Sequence, residues 1–211
     1  MHHQNVSLSR RRLLLGCAAV AVLSACGGKT HAKLPAGASV LALGDSLTFG
    51  YGADPAAAYP AQLAQISRWR VHNGGVSGDT SAQALARLPA LLREHQPKLV
   101  LVGIGGNDFL RRYPENQTRT NISRIIEQCA PVPVVLIAQP KPSLGAVIGN
   151  LDDHPLYAQL AKQHQIPLFA DAWSDILADK DLKSDAIHAN AAGYRLFAER
   201  LAKFLKKQGF L

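Results

Sequence analysis

From Ser39 onward the chain alternates short apolar runs with longer segments of helical spacing, and this alternation limits the fold more than any single residue does. SVLAL (39–43), WRVHN (69–73), KLVLVG (98–103), VPVVLIA (132–138) and IPLF (166–169) read as strands, most of them apolar enough to be buried on both faces. Between them, 58–68, 79–95, 118–129 and 152–165 carry helical periodicity, with Ile122, Ile125, Ile126 and Cys129 on one face of the third. Pro89 predicts a kink or break in the second of these, and a short helix is expected near Trp173. The last helix, 191–207, places Phe197, Leu201, Phe204 and Leu205 on one face, with Asn190 as its cap. Lys203, Lys206 and Lys207 suit the negative end of its dipole. Strands joined through helices require right-handed crossovers, so the pattern predicts one α/β domain over 39–211: a doubly wound, mainly parallel five-stranded sheet with helices on both faces.

Residues 1–38 stand outside this alternation. Arg10, Arg11 and Arg12 form a basic head and Leu13 to Leu23 an apolar run too short for a comfortable permanent span, the layout of an export signal over 1–25. Leu23, Ser24, Ala25 and Cys26 resemble the lipobox of bacterial lipoproteins, which implies lipid on Cys26 and attachment to a membrane; an ordinary secretory signal is the alternative. Gly27 after that Cys, by the same resemblance, implies the outer membrane of a Gram-negative host. SRRRLL (9–14) also loosely resembles a twin-arginine signal. Residues 26–38 are expected to be the lipidated Cys and a linker. With Cys17 in the leader and Cys26 lipidated, Cys129 is the one cysteine left in the domain, so no internal disulfide is expected.

Composition suits this reading. With 211 residues, 47% of them hydrophobic and 18% charged, the chain has enough apolar material for one sizeable core. The formal charge is +8, and removing the leader takes three Arg and no acid, leaving about +5. That excess suits a protein near anionic head groups. It forms no basic, aromatic-interleaved stripe, so no nucleic-acid partner is expected.

In open α/β sheets, ligands bind beyond the carboxyl ends of the strands. The residues expected there are few and polar: Gly44, Asp45 and Ser46 after the first strand, Asn73 to Thr80 after the second, and Gly105, Gly106, Asn107 and Asp108 after the third. SDAIH, with Asp185 and His188, precedes the last helix. A serine hydroxyl is a weak nucleophile that needs an imidazole to take its proton and a carboxylate to orient that imidazole. Asp185 and His188 are three residues apart, a spacing at which one turn brings both side chains together. An oxyanion needs fixed donors, and Gly78 and Asn107 are placed to provide a backbone N–H and a side-chain amide. Each residue also has a plain structural role open to it: GDS as a turn, Asn107 as a loop brace, Asp185 as a cap. Ser77 in GVSG is a rival nucleophile, but Asp79 stands where the GxSxG elbow requires a second Gly. Asp45, Asp79 and Asp108 are expected to brace turns and loops.

GDSL (44–47), SGDT (77–80), GGND (105–108) and DAIH (185–188), in this order over nearly the whole domain, resemble the blocks of the SGNH hydrolases, also called GDSL esterases. The stretch from Ser77 to Asp108 further resembles the bacterial thioesterase, arylesterase and lysophospholipase group of that family. The resemblance implies a flavodoxin-like three-layer sandwich, a nucleophile at Ser46, Asp185 and His188 as orienter and base, and an oxyanion hole from the Ser46 N–H, the Gly78 N–H and the Asn107 amide. It implies an acyl ester as substrate. The glycines of GIGGND make no dinucleotide fingerprint, since GxGxxG needs Gly where Asp108 stands, so no cofactor is expected, and with no Cys/His cluster no metal is expected. The group usually has Pro after the His, whereas Ala189 stands here, which is expected to loosen the turn that holds His188. Phe109 with Leu144, Val147, Ile148 and Leu151 has two readings open, as the lining of an acyl groove or as a cap on the edge of the sheet. Two other readings remain: a carbohydrate O-acetylesterase, since members of the family also do that work, and a non-catalytic envelope protein that keeps the fold. Oligomeric state is not legible.

Overall fold

The computed structural model describes residues 1–2, 31–141 and 151–211. Its five strands are β1 (Ser39–Gly44), β2 (Arg70–Gly75), β3 (Leu99–Gly103), β4 (Val134–Ile137) and β5 (Leu168–Phe169). They form one sheet in the order β2-β1-β3-β4-β5, and every neighbouring pair is parallel. Parallel neighbours need crossovers, and the helices α2 (Tyr59–Ser67), α3 (Ser81–His95), α5 (Glu115–Gln128) and α6 (Leu156–His164) provide them.

The period of two along each strand divides the core. Val40, Ala42, Leu99, Leu101, Val135 and Ile137 pack on one face with α2, α7 (Ala172–Ala178) and α8 (Ala191–Lys207). Leu41, Leu43, Val100, Val102, Val134 and Leu136 pack on the other with α3, α5 and α6. β1, β3 and β4 are buried along their whole lengths, which is why they read as unbroken apolar runs. The doubly wound sheet expected from the pattern is the fold observed, and its three layers and the order β2-β1-β3-β4-β5 are the flavodoxin-like arrangement that the resemblance implies.

Local signals fix the helix ends. Thr80 and Gln83 form a capping box at the start of α3, and Asn190 accepts a hydrogen bond from the Gly193 N–H at 3.0 Å to start α8. α3 runs unbroken through Pro89, so the expected break does not occur. Packing of Ala84 and Leu88 against the sheet holds it together across the missing donor. Two short helices escaped the sequence pattern, α1 (Ser46–Phe49) and α4 (Gly106–Leu110), because one turn leaves too few residues to show a period.

The last residues of β2, β1 and β3 form a row of glycines, Gly75 paired with Gly44 and Gly44 with Gly103. A Cβ on Gly44 would lie 2.6 Å from the Gly103 carbonyl oxygen and 2.0 Å from the Thr48 hydroxyl, and one on Gly75 would lie 2.2 Å from the Phe49 nitrogen. The row therefore lets α1 fold directly down onto the sheet edge, and α1 begins at Ser46.

Candidate active site

Strand order reverses between β1 and β3, one neighbour running back to β2 and the other on to β5, and the crevice at their carboxyl ends lies at that reversal. Ser46 enters it from β1, as the first residue of α1. Asp45 caps this helix, its carboxylate accepting from the Leu47 N–H at 3.1 Å. At the first helical position the Ser46 N–H has no partner within the helix and is left as a donor.

His188 reaches Ser46 across the sheet edge, with Nε2 2.9 Å from the Ser46 Oγ, between residues 142 positions apart. On its other side Nδ1 lies 2.8 Å from Asp185 Oδ2 and 3.0 Å from Oδ1. Asp185 Oδ1 also accepts from the backbone N–H groups of Ile187 and His188, each at 2.9 Å. The capping role and the orienting role are thus made by one carboxylate at once. Partial burial opposes ionisation of Asp185, but those N–H bonds and the His188 ring outweigh it and hold its carboxyl below the usual carboxylate range.

The loop carrying both residues is closed like a small hairpin. Lys183 bridges Ala189, with the Ser184 N–H donating to the His188 carbonyl and the Asn190 N–H to the Leu182 carbonyl, each at 2.9 Å. These bonds come from the flanking residues and make no use of the N–H at 189. Ala189 is fully buried. The Tyr51 ring rests against the imidazole, centroids 4.5 Å apart, and its own backbone carbonyl is held by the Tyr194 hydroxyl at 2.7 Å.

Gly78 lies in a turn of Val76, Ser77, Gly78 and Asp79, closed by a 3.1 Å bond from the Asp79 N–H to the Val76 carbonyl. Its φ of +84° is the third-position value of a type II turn, which favours Gly there. The turn bond uses the Asp79 N–H and leaves the Gly78 N–H out of it. The Asn107 amide donates one hydrogen to the Asp79 carbonyl at 3.0 Å, which orients the second. Arg111 donates to the Gly78 carbonyl at 2.9 Å.

The three acids expected to brace loops do so. Asp79 pairs with Arg87 at 2.7 Å, and Asp108 accepts from the Ser81 N–H at 2.8 Å and its hydroxyl at 2.5 Å. Full burial, helped by the charges of Asp79 and Asp108, pushes the Asp45 carboxyl up to about 7 against the opposing Leu47 N–H bond.

A cleft of about 210 Å³ opens beside Ser46 and Asn107, walled by Leu110, Leu151, Leu177 and Ile187, with Gln139 and Lys141 also in its lining. Phe109 is not in it. On α4, Asn107 and Leu110 are three residues apart and share the cleft face, which turns Phe109 away to stack on His154 at 4.0 Å and meet Tyr157 edge-on. Leu144, Val147 and Ile148 lie outside the described residues, as does Cys26; Leu151 is where the groove reading put it. Ser77 is exposed and no hydrogen bond ties it to the imidazole. Among the described residues, no group of three or more His, Cys, Asp or Glu is arranged to hold a metal ion. Nor is any described helix long and apolar enough to cross a membrane.

The sequence pattern of the GDSL-like lipase/acylhydrolase family matches residues 42–196, which takes in all four blocks. The chain belongs to that family. It is a GDSL esterase, a hydrolase of carboxylic ester bonds. It is 37% identical over 173 residues, 80% of this chain and 83% of the relative, to thioesterase 1/protease 1/lysophospholipase L1 of Escherichia coli K12. To the arylesterase of Vibrio mimicus it is 32% identical over 178 residues, 80% of this chain and 88% of the relative. Among solved structures, the psychrotrophic esterase EstA from Pseudoalteromonas superposes with a TM-score of 0.69 at 27% identity, over 80% of this chain and 96% of that one.

Two features of this esterase were missed in the sequence. Arg87 sits between Ala84 and Leu88 of the buried face of α3, where a charge is out of place, and that misfit was a usable signal. Gln139, a buried amide in the cleft lining, follows β4 with no motif around it and gave none.

Proposed function

We propose that this GDSL esterase is an envelope-anchored serine hydrolase that cleaves acyl esters, lysophospholipids among them, through an acyl-enzyme. One observation carries the reading: a hydroxyl, an imidazole and a carboxylate from two ends of the chain stand in line at 2.9 and 2.8 Å beside an apolar cleft. His188 Nε2 takes the proton of Ser46 Oγ as the oxygen attacks the carbonyl carbon, and Asp185 holds the ring with Nδ1–H toward itself. The carbonyl electrons move onto oxygen, where the N–H groups of Ser46 and Gly78 and the Asn107 amide receive them. The tetrahedral species collapses, the bond to the leaving oxygen or sulfur breaks, and His188 returns the proton to it. Water then repeats both steps on the acyl-Ser46 and frees the acid.

Leu110, Leu151, Leu177 and Ile187 favour an acyl chain over a bare acetyl group, and Lys141 at the same cleft suits a phosphate-bearing head group. The relative named as a lysophospholipase supports that class. The test is hydrolysis of p-nitrophenyl esters from acetyl to palmitoyl by the wild type and Ser46→Ala. With an acyl cleft, kcat/KM rises about fourfold per methylene, the equivalent of about 0.8 kcal/mol each, until the cleft is full, and Ser46→Ala abolishes it. Cleavage of acetyl alone would replace this reading with the O-acetylesterase, and activity untouched by Ser46→Ala would end it.

Membrane attachment rests on the lipobox-like LSAC and on the basic head before it. Lipid on Cys26 would hold the domain at the envelope through the linker to residue 38. Labelled fatty acid should enter the wild-type chain in cells and not the Cys26→Ser chain.

A further inference from the structure

Gly44 is the last residue of β1, and its carbonyl is a junction. It accepts the Val76 N–H at 3.1 Å, where the Gly78 turn begins, and the Arg87 Nη2 at 2.8 Å. The Nε of the same guanidinium donates to Asp79 Oδ2 at 2.7 Å, where that turn ends. Arg87 therefore touches the residue two before Ser46 and the residue after Gly78. The pair is mostly buried, with side-chain exposures of 23% for Arg87 and 9% for Asp79, so solvent weakens it little.

We infer that Arg87 is a positioning residue for the oxyanion hole: its planar fork sets the spacing between Ser46 and the Gly78 N–H. The inference rests on the esterase reading of this site. A fork is needed because the two acceptors belong to different segments, one on a strand end and one on a turn. Lysine would keep the charge but supply a point donor without the rigid two-armed geometry. The acyl carbonyl must meet Ser46 Oγ and the Gly78 N–H at the same time, so a shift of the turn relative to β1 weakens oxyanion binding and leaves substrate binding in the cleft intact.

The experiment compares wild type, Arg87→Lys and Asp79→Asn in full-length protein on one soluble p-nitrophenyl ester, with rates divided by active sites titrated with a fluorophosphonate. Titration removes any contribution from unfolded material, and Asp79→Asn keeps the test open if Arg87→Lys does not fold. The expected result is a kcat lowered about 10- to 100-fold with KM within about twofold of wild type. The acid limb of the pH profile should not move, since Arg87 does not touch His188. The double variant should lose little more than either single one. A kcat per site within about twofold of wild type in both variants, or a loss seen only as a raised KM, overturns the inference while wild-type activity upholds the esterase. A wild type with no Ser46-dependent hydrolysis removes the esterase reading and this inference with it.

Discussion

The two halves of the site are held in different ways. Ser46 and Asn107, in the short helices α1 and α4, and Gly78, on a turn, are cross-tied by side chains: Arg87 to Gly44 and to nearby Asp79, Asn107 to Asp79, Asp108 to Ser81. Asp185 and His188 stand on an exposed loop whose main ties are to itself, through the bonds of Asp185 to Ile187 and His188 and the bridge of Lys183 to Ala189. In the proposed mechanism the oxyanion donors must keep one spacing to the nucleophile, which a buried frame would secure. The proposed base has to swap a proton between nucleophile and leaving group, and a self-closed loop would supply its orientation with few neighbours.

The largest expected effect breaks the self-closed half. Asp185→Asn keeps a side-chain oxygen for the Ile187 and His188 N–H groups but removes the charge facing Nδ1. The kcat should fall by about 10⁴-fold with an unchanged fold by circular dichroism, as expected when an imidazole loses its orienting carboxylate. A loss below about tenfold would mean that the backbone of the loop alone orients His188.

Breaking the framed half is expected to cost less, because the other donors remain. Asn107→Ala should lower kcat by about 10² to 10³-fold, with KM little changed, in a chain-length series. Loss mainly through KM would place Asn107 in substrate binding instead.

A third variant sharpens the contrast by pH. In the framed half, burial raises the Asp45 pKa from 3.8 to about 7, so between these values the folded state binds more protons than the unfolded one. Its contribution to stability is present below about pH 4 and falls as pH rises to about 7. Asp45→Asn retains a good helix cap without the titration, so urea unfolding should show it gaining on wild type over that window, by a few kcal/mol at most. A difference that stays constant from pH 4 to 7.5 would show that Asp45 does not titrate there.

The smallest effect is expected at Ala189. Its N–H is not used by the bridge, so Ala189→Pro should leave kcat/KM within about threefold and raise stability by less than about 1 kcal/mol in a thermal melt. A rate lost by more than tenfold would show that the loop needs freedom at that position.

Much of this was legible beforehand for a physical reason. Strand and helix periods are local, and β1, β3, β4 and α8 lie within about two residues of the expected spans. Ser46, Gly78, Asn107, Asp185 and His188 stood out because turns and catalytic chemistry require particular residue types at short spacing. Phe109 misled because a five-residue helix shows no period, and which of its side chains faces the cleft depends on what α5 and α6 present to the other side.

The sequence by itself determined the layer order, the strand-end positions of the polar blocks and the pairing of Asp185 with His188, since each follows from neighbours within a few residues. Only the tertiary structure decided that Arg87 joins β1 to the Gly78 turn, that Leu110 rather than Phe109 walls the cleft, and that His188 meets Ser46 at 2.9 Å. Those contacts join segments tens of residues apart, and their geometry is set by how helices and turns settle on a twisted sheet.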